Sequence, residues 1–414
     1  NDPTYAYLLA ANHRVDQKLV MAHVCGHGDF FKHNFSFAHT NRKMVDEMAN
    51  HAARVRRYME LHGTEEVERF IDRCLSIENL IDYNAPHIKR RPWGAPPEED
   101  APRPEPKKLR AKEYMDEYIN PEPVLEAERR RLEEAQKREE HFPAHPERDV
   151  MLFLLEHAPL KNWERDVLGI VREEAYYFAP QGRTKIMNEG WASYWHSKIM
   201  TEKALDPSEL IDYADHHSGT MAPYPGRLNP YKLGLELWRD IEERWDKGRH
   251  GPDWDACDDF EARRRWDTGA MKGREKIFEV RRHYNDVTFI DEFLTPEFVR
   301  RHGLFTYDYD RASGQYVISD RDFHAVKERL LFSLTNFGQP TIEVVDANHM
   351  NRGELVLAHR YEGVPLKLDQ ALETLENVQS LWKRPVHVET WLDDAPVVLS
   401  YDGVEHTRAP RRDG

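Results

Sequence analysis

The chain has 414 residues and a formal net charge of −15, because 74 Asp and Glu outnumber 59 Lys and Arg. This excess of negative charge repels phosphate backbones and argues against nucleic acid as a partner. Three scattered cysteines give neither a disulfide framework nor a thiolate zinc site, which favours a reduced, cytosolic compartment. We expect no signal peptide and no membrane span, since no apolar run approaches about 18 residues.

The first part of the chain has helical periodicity. Apolar residues recur three and four positions apart from about residue 15 to 84, with Thr64 as an N-cap, and again at 150–178 and 187–203. Asn229 and Pro230 are a typical N-cap and first residue of a further helix.

Residues 86–148 differ in composition. Many prolines and charge runs such as "EAERRRLEEAQKREE" predict an extended surface insertion with one charged helix near 122–140.

From about Gly303 the pattern changes to short β-type runs, with helices near 321–333 and 368–380. The runs are "GQYVISD", "TIEVVDAN", "ELVLAHRY", "PVHVETW" and "PVVLSYDG". We therefore predict an α+β protein with a mainly helical domain at 1–302 and a small α+β domain at 303–414.

Two histidines share the apolar face of the first helix. In "QKLVMAHVCGHGDFF", His23 and His27 follow the same helical spacing as Val20 and Phe30. Side chains at i and i+4 are about 5–6 Å apart at Cβ, close enough for both imidazoles to reach one tetrahedral ion. A metal-binding pair and a hydrogen-bonded pair in the core both fit this pattern.

A carboxylate lies on the apolar face of another helix. In "MNEGWASYWH", Glu189 and His196 are seven residues apart and point in the same direction. Burial of an unpaired carboxylate costs several kcal/mol, so Glu189 needs a cation, a hydrogen-bond network or a proton. A metal held by His23 and His27 would satisfy this need.

Further polar residues are candidates with weaker signals. Glu174 falls on an apolar stripe and is a candidate ligand, anchor or general base, or a snorkelling residue at a helix edge. Tyr231 heads its helix and is a candidate donor to an oxyanion, or a packing residue. His216 and His217 are in a loop-like segment, and Asp29 is a candidate to orient a histidine ligand.

Four blocks of this sequence resemble the SpoVR (stage V sporulation protein R) family: "HVCGHGDFFKHN", "ENLIDYN", "KIMNEGWASYWH" and "NPYKLGLELW". The resemblance extends through essentially the whole chain. It implies a part in sporulation, spore cortex formation or stationary-phase stress, and a partnership with a PrkA-like serine kinase. It implies no defined chemistry.

A second resemblance is local. "NEGWASYWH" is similar to the NEGFAxYxE block of gluzincin metallopeptidases, which implies a zincin-like helical domain with Glu189 as third zinc ligand. His23 and His27 then match the two histidines of HExxH, and Tyr231 matches the tyrosine that assists the oxyanion. The general base of HExxH is replaced by Val24, and an alkyl group cannot take a proton from water.

The first functional hypothesis is therefore a zinc-dependent hydrolase of an amide or peptide bond, with a peptidoglycan peptide as suggested substrate and other divalent metals open. Glu174 would activate the water, and His196 would be a fourth ligand or a proton donor.

The alternative is a non-catalytic cytosolic regulator or scaffold acting with the kinase, in which the His and Glu cluster is structural. A third hypothesis, an iron or manganese site, needs another carboxylate such as Glu174 or Glu78.

Overall fold

The computed structural model describes residues 2–88, 121–131 without 122 and 128, 142–222, 228–310 and 313–411. Most of the predicted insertion and of its charged helix near 122–140 lies outside these residues, although 123–127 and 129–131 are helical.

Helices dominate the described residues up to about residue 302, as the periodicity predicts. They are α1 Arg14–His33, α2 Met44–His62, α3 Thr64–Leu75, α4 Val150–His157, α5 Asn162–Arg183, α6 Lys185–Ile199, α7 Leu210–Thr220, α8 Pro230–Asp246, α9 Pro252–Asp255, α10 Phe260–Arg265, α11 Gly273–His283, α12 Asp286–Phe293 and α13 Pro296–His302. A π-helical turn, Met200–Ala204, extends α6. No helix in the described ranges is long and apolar enough to cross a membrane.

The strands follow these helices in the chain. They are β1 Thr306–Asp310, β2 Gln315–Asp320, β3 Ile342–His349, β4 Glu354–His359, β5 Val386–Leu392, β6 Ala395–Tyr401 and β7 His406–Pro410, with α14 Phe323–Leu334 and α15 Leu368–Trp382 between them. β1 and β2 form an antiparallel hairpin, and β3 to β7 form one sheet in sequence order. The pair β4 and β5 is parallel, and α15 forms the crossover between them.

The described residues cluster into two compact units that are each discontinuous in sequence. One contains Asn1–Arg57 and Glu173–Gln339, and the other contains Tyr58–Arg172 and Pro340–Gly414. The second unit contains the five-stranded sheet, with α15 against β5 and β6 and α4 against β3. The predicted linear boundary near residue 303 stays a prediction.

The mixed α+β class, with a large helical body and a small C-terminal sheet domain, is confirmed. All five predicted β runs form strands. The sequence prediction missed β1 and β7, because "TYDYD" and "HTRAP" consist mostly of polar residues. His216 and His217 lie on α7 and not in a loop, and Gly63, not Thr64, is the N-cap of α3.

α6 lies in the centre of the first unit. Trp191 and Met187 of α6 are fully buried with Trp238 of α8 and Phe289 of α12. The Trp238 indole N–H donates to the Met187 carbonyl at 3.0 Å. Apolar burial around α6 is therefore the main source of stability in this unit.

Small residues allow the backbones of α1 and α8 to contact the backbone of α6 directly. A Cβ added to Gly26 of α1 would lie 2.6 Å from Ala192 Cα of α6. A Cβ on Gly234 of α8 would lie 2.1 Å from the Ile186 carbonyl oxygen and 2.7 Å from Gly190 Cα. Only residues without a bulky side chain fit these crossings, so α1 and α8 are both held directly on α6.

The N-terminus of α6 is held by a carboxylate from α12. Asp286 is 2% exposed and accepts from the Ile186 N–H at 2.8 Å and the Met187 N–H at 2.9 Å. Burial raises the pKa of Asp286 to about 7, and the hydrogen bonds from backbone N–H groups of α6 act in the opposite direction. This contact satisfies free N–H groups of the first turn of the helix and fixes the start of α6.

We expect Gly234→Ala to destabilise the first unit by about 1–3 kcal/mol, because the new methyl group overlaps the Ile186 carbonyl. Thermal unfolding followed by circular dichroism would measure the loss. The matched control is Gly219→Ala on α7, where an added Cβ meets nothing within 4 Å. That variant should unfold at the same temperature or slightly higher, since Ala favours helix. Equal midpoints for the two variants would contradict the close-approach argument.

Candidate metal centre

Three potential metal ligands from α1 and α6 converge in the first unit. One ligand atom each of His23, His27 and Glu189 lie within 4.8 Å of one another. The Nε2 atoms of both histidines lie 3.4 Å from Glu189 Oε2. Among the described residues, these three side chains form the group of His, Cys, Asp and Glu residues that could hold a metal ion.

The distances fit a tetrahedral ion better than hydrogen bonds. Ligands about 2.0–2.1 Å from a zinc ion at tetrahedral angles are about 3.3–3.4 Å apart. Glu189 Oε2 is buried and has no hydrogen-bond partner among the described residues. Burial of a carboxylate oxygen without a hydrogen-bond partner costs free energy unless a cation binds to it.

Asn188 sets the tautomer of His27. The Nδ1 of His27 is 2.8 Å from the Asn188 side-chain oxygen, which can only accept, so this nitrogen carries the proton. If Nε2 carries no proton, its lone pair faces Glu189 Oε2. A lone pair facing a carboxylate is repulsive, so either a second proton or a cation must lie between them.

A chain of histidines continues from His23. Its Nδ1 lies 2.9 Å from His196 Nδ1, and His196 Nε2 lies 3.1 Å from His217 Nδ1 on α7. Burial, followed by the charges of His23 and His217, lowers the pKa of His196 to about 3, so this ring is neutral. If His23 donates to His196 and His196 donates to His217, the Nε2 of His23 keeps a free lone pair for a metal.

The Glu189 carboxylate is ionised. Burial alone would raise its pKa, but the hydrogen-bonding capacity and charge of His23 and His27 lower it to about 2. Since Oε2 makes no hydrogen bond of acceptable geometry, we interpret the interaction with the two rings as electrostatic.

Tyr231 lies beside the three ligands. Its ring stacks on that of His23 with centroids 6.1 Å apart and an angle of 22° between the planes. Burial raises the pKa of Tyr231, and the negative charge of the Glu189 carboxylate raises it further. The phenol therefore keeps its proton at neutral pH and can donate it in a hydrogen bond.

The ligand group is accessible. The side chains of His23, His27 and Glu189 are 19%, 19% and 18% exposed. Trp191 does not seal the group, because it is buried among Trp238 and Phe278 and its indole N–H donates to Asp29. The three side chains are therefore partly exposed, although the Oε2 atom of Glu189 is buried.

The structure gives two of the predicted site residues other partners. Glu174 accepts from His51 Nδ1 at 2.9 Å and does not join the ligand group, so it is not placed to activate water there. Both ring nitrogens of His196 lie at hydrogen-bond distance from other histidines, and His196 is not a member of the group of three potential ligands. Periodicity put these residues on inward faces correctly but could not specify which neighbour each one meets.

Other polar candidates have structural partners. Asp29 pairs with Arg281 at 2.5 Å and with His33 at 3.2 Å, so it does not orient a histidine of the ligand group. His216 pairs with Asp16, whereas His217 ends the histidine chain.

Sequence reasoning missed Asn188 and Asp286. Asn188 directly precedes Glu189 in the sequence. A polar residue next to a candidate ligand could have indicated a partner for His27. Asp286 is 100 residues from Ile186, and no local pattern connects them.

Comparison with known proteins agrees with the sequence resemblance. A family model described as "SpoVR like protein" matches residues 1–339, and one described as "SpoVR-like C-terminal domain" matches residues 340–393. "Uncharacterized protein YcgB" of Escherichia coli (strain K12) is 28% identical over 438 aligned positions, covering 96% of this chain and 78% of that protein. No solved structure matches the chain.

We expect protein purified without an affinity metal to contain about one divalent ion per chain, with zinc preferred by the two imidazoles and one carboxylate. Glu189→Gln and His23→Ala should each lose it, as measured by inductively coupled plasma mass spectrometry. His33→Ala on the same helix is the control, since His33 is exposed and contacts Asp29. Metal retained in the Glu189 and His23 variants would disprove this ligand set.

We also expect zinc affinity to fall as pH falls from about 7.5 to about 5.5, because protons compete for the ring nitrogens. Glu189, with a pKa of about 2, stays ionised over this range, so the loss comes from the imidazoles. Competition with a chromophoric chelator would measure the dependence. An affinity independent of pH would contradict ligation by His23 and His27.

Proposed function

The chain belongs to the SpoVR family, and we propose that its helical body is a zinc-dependent hydrolase that acts on an amide or peptide bond. His23, His27 and Glu189 would hold the ion. The observation that carries the proposal is the orphaned, buried Glu189 Oε2 between two imidazole nitrogens in a partly exposed group. The zincin-like character of the domain is part of the same proposal.

A bound zinc ion would supply Lewis-acid polarisation of a substrate carbonyl. The chain itself supplies the orientation of the ligands. The amide of Asn188 and the ring of His196 fix the two imidazoles, and the buried Asp286 fixes the helix that presents Glu189. Such fixed geometry reduces the reorganisation needed during a reaction.

Tyr231 is the proposed hydrogen-bond donor to the carbonyl oxygen of the substrate. Its raised pKa keeps the phenol protonated, and its ring position is set by stacking on His23. A neutral donor aimed at developing negative charge stabilises the transition state more than the ground state.

Val24 limits the expected rate. An alkyl side chain takes the position of the general base in the gluzincin block, and Glu174 hydrogen-bonds His51 instead. General-base catalysis contributes about 10²- to 10⁴-fold, so turnover should be slow compared with peptidases that have this base.

The substrate class follows from the metal chemistry and the family name. A polarised carbonyl suits amide hydrolysis, and the sporulation link suggests peptide bonds of cortex peptidoglycan. Peptide libraries and muropeptides are therefore the first compounds to test.

We expect Tyr231→Phe to lower kcat by about 10²- to 10³-fold with little change in KM and with the metal retained. Hydrolysis of fluorogenic peptides and muropeptides by the zinc-loaded protein would measure it. Tyr284→Phe, a partly buried tyrosine in the aromatic core beside Phe293, is the matched control and should keep full activity. Equal activity of wild type and Tyr231→Phe would remove Tyr231 from the reaction.

The missing base favours one other function, a regulator that acts with a PrkA-like serine kinase. A zinc-loaded protein that hydrolyses no amide but binds the kinase, with binding lost in Glu189→Gln, would replace the hydrolase proposal. Titration calorimetry with and without zinc would measure that binding.

A further inference from the structure

A cavity of about 360 Å³ opens in the first unit, away from the metal ligands. It is lined by α8, α13, α14, the residues between α13 and β1, and the start of β1. His23, His27 and Glu189 do not line it. Its volume falls in the range of about 300–1,000 Å³ that is typical of small-molecule pockets. It is too large to be a packing defect in a close-packed interior.

The walls of this cavity are mainly apolar. Leu233 of α8, Phe298 of α13, Leu304, and Val326 and Leu330 of α14 contribute to the lining. Surfaces of this kind favour an alkyl or aryl body, because its burial removes apolar area from water.

Two charged groups of the lining have partners. Arg329 donates to Asp308 at 3.0 Å and to the Tyr307 carbonyl at 3.1 Å. Glu236 accepts from Arg239 at 3.0 Å. Neither group is available for a ligand charge without losing an existing interaction.

Lys232 differs from these two groups. It lines the cavity from the first turn of α8, is half-buried, and forms no ion pair with a described residue. A half-buried ammonium group beside apolar walls is stabilised by a ligand anion that is desolvated with it. The cavity therefore combines one unpaired positive charge with an apolar interior.

We propose that this cavity binds a monocarboxylate with a hydrophobic body, such as a medium-chain fatty acid. Lys232 pairs with the carboxylate, and Leu233, Val326 and Leu330 contact the chain. This site is independent of the metal centre, so it stands or falls separately from the hydrolase proposal.

The test is displacement of dansyl-undecanoic acid, a fluorescent fatty acid, by dodecanoate and by its neutral methyl ester. Dodecanoate should displace the probe and bind about tenfold or more tightly than the ester, since the ester cannot pair with Lys232. Lys232→Met should weaken dodecanoate to the level of the ester and leave the ester unchanged. Leu330→Trp, which fills the cavity, should abolish binding of both compounds.

The matched control is Lys327→Met on α14, which removes a lysine that pairs with Asp291 and does not line the cavity. It should bind dodecanoate as the wild type does. Equal affinity for acid and ester, or unchanged dodecanoate binding in Lys232→Met, would overturn the proposal. So would retained binding in Leu330→Trp, with folding of each variant verified by its thermal unfolding midpoint.

Discussion

The direct contact of α1 and α8 with α6 is the constraint on which the site depends. Gly26 meets Ala192, and Gly234 meets Gly190, without a bulky side chain between the backbones. At this separation the short reach of imidazole and carboxylate groups is sufficient for His23, His27 and Glu189 to meet. A larger spacing between the helices would leave the same side chains too far apart for one ion. The small residues therefore have a geometric role in the site although they contribute no ligand.

The polar groups around the ligands then restrict their protonation. Asn188 accepts from one ring, and the chain from His23 through His196 to His217 orders the other. In the tautomers that leave the Nε2 atoms of His23 and His27 unprotonated, two lone pairs face an ionised carboxylate, which is unfavourable without a positive charge between them. Packing supplies the distances between the three groups, and these hydrogen bonds restrict the tautomers of the two histidines.

Helical periodicity predicted the ligand group because the relevant information was local. His23 and His27 are four residues apart, and Glu189 interrupts an apolar face, so each departs visibly from the pattern expected of a core helix. Glu174 departs in the same way, yet its partner is His51 on α2, and periodicity contains no information about which helix faces which. The fold class was predicted from the change from helical periodicity to short β-type runs near Gly303. β1 and β7 were missed because their residues are mostly polar. The role of Asp286 could not be predicted from local sequence, because it depends on contact with a helix 100 residues earlier in the chain.

The long separations also determine when the site can form during synthesis. His27 meets Asn188 across 161 residues, and the start of α6 is capped only after Asp286 has been made. Closure of such long loops is entropically costly, and contacts of this type slow folding. On the ribosome, His23 and His27 therefore emerge as a pair well before the carboxylate that completes their group. Two of the three proposed ligands are exposed on the nascent chain before Glu189 has been made, so the sequence itself sets the order in which the parts of the ligand group appear.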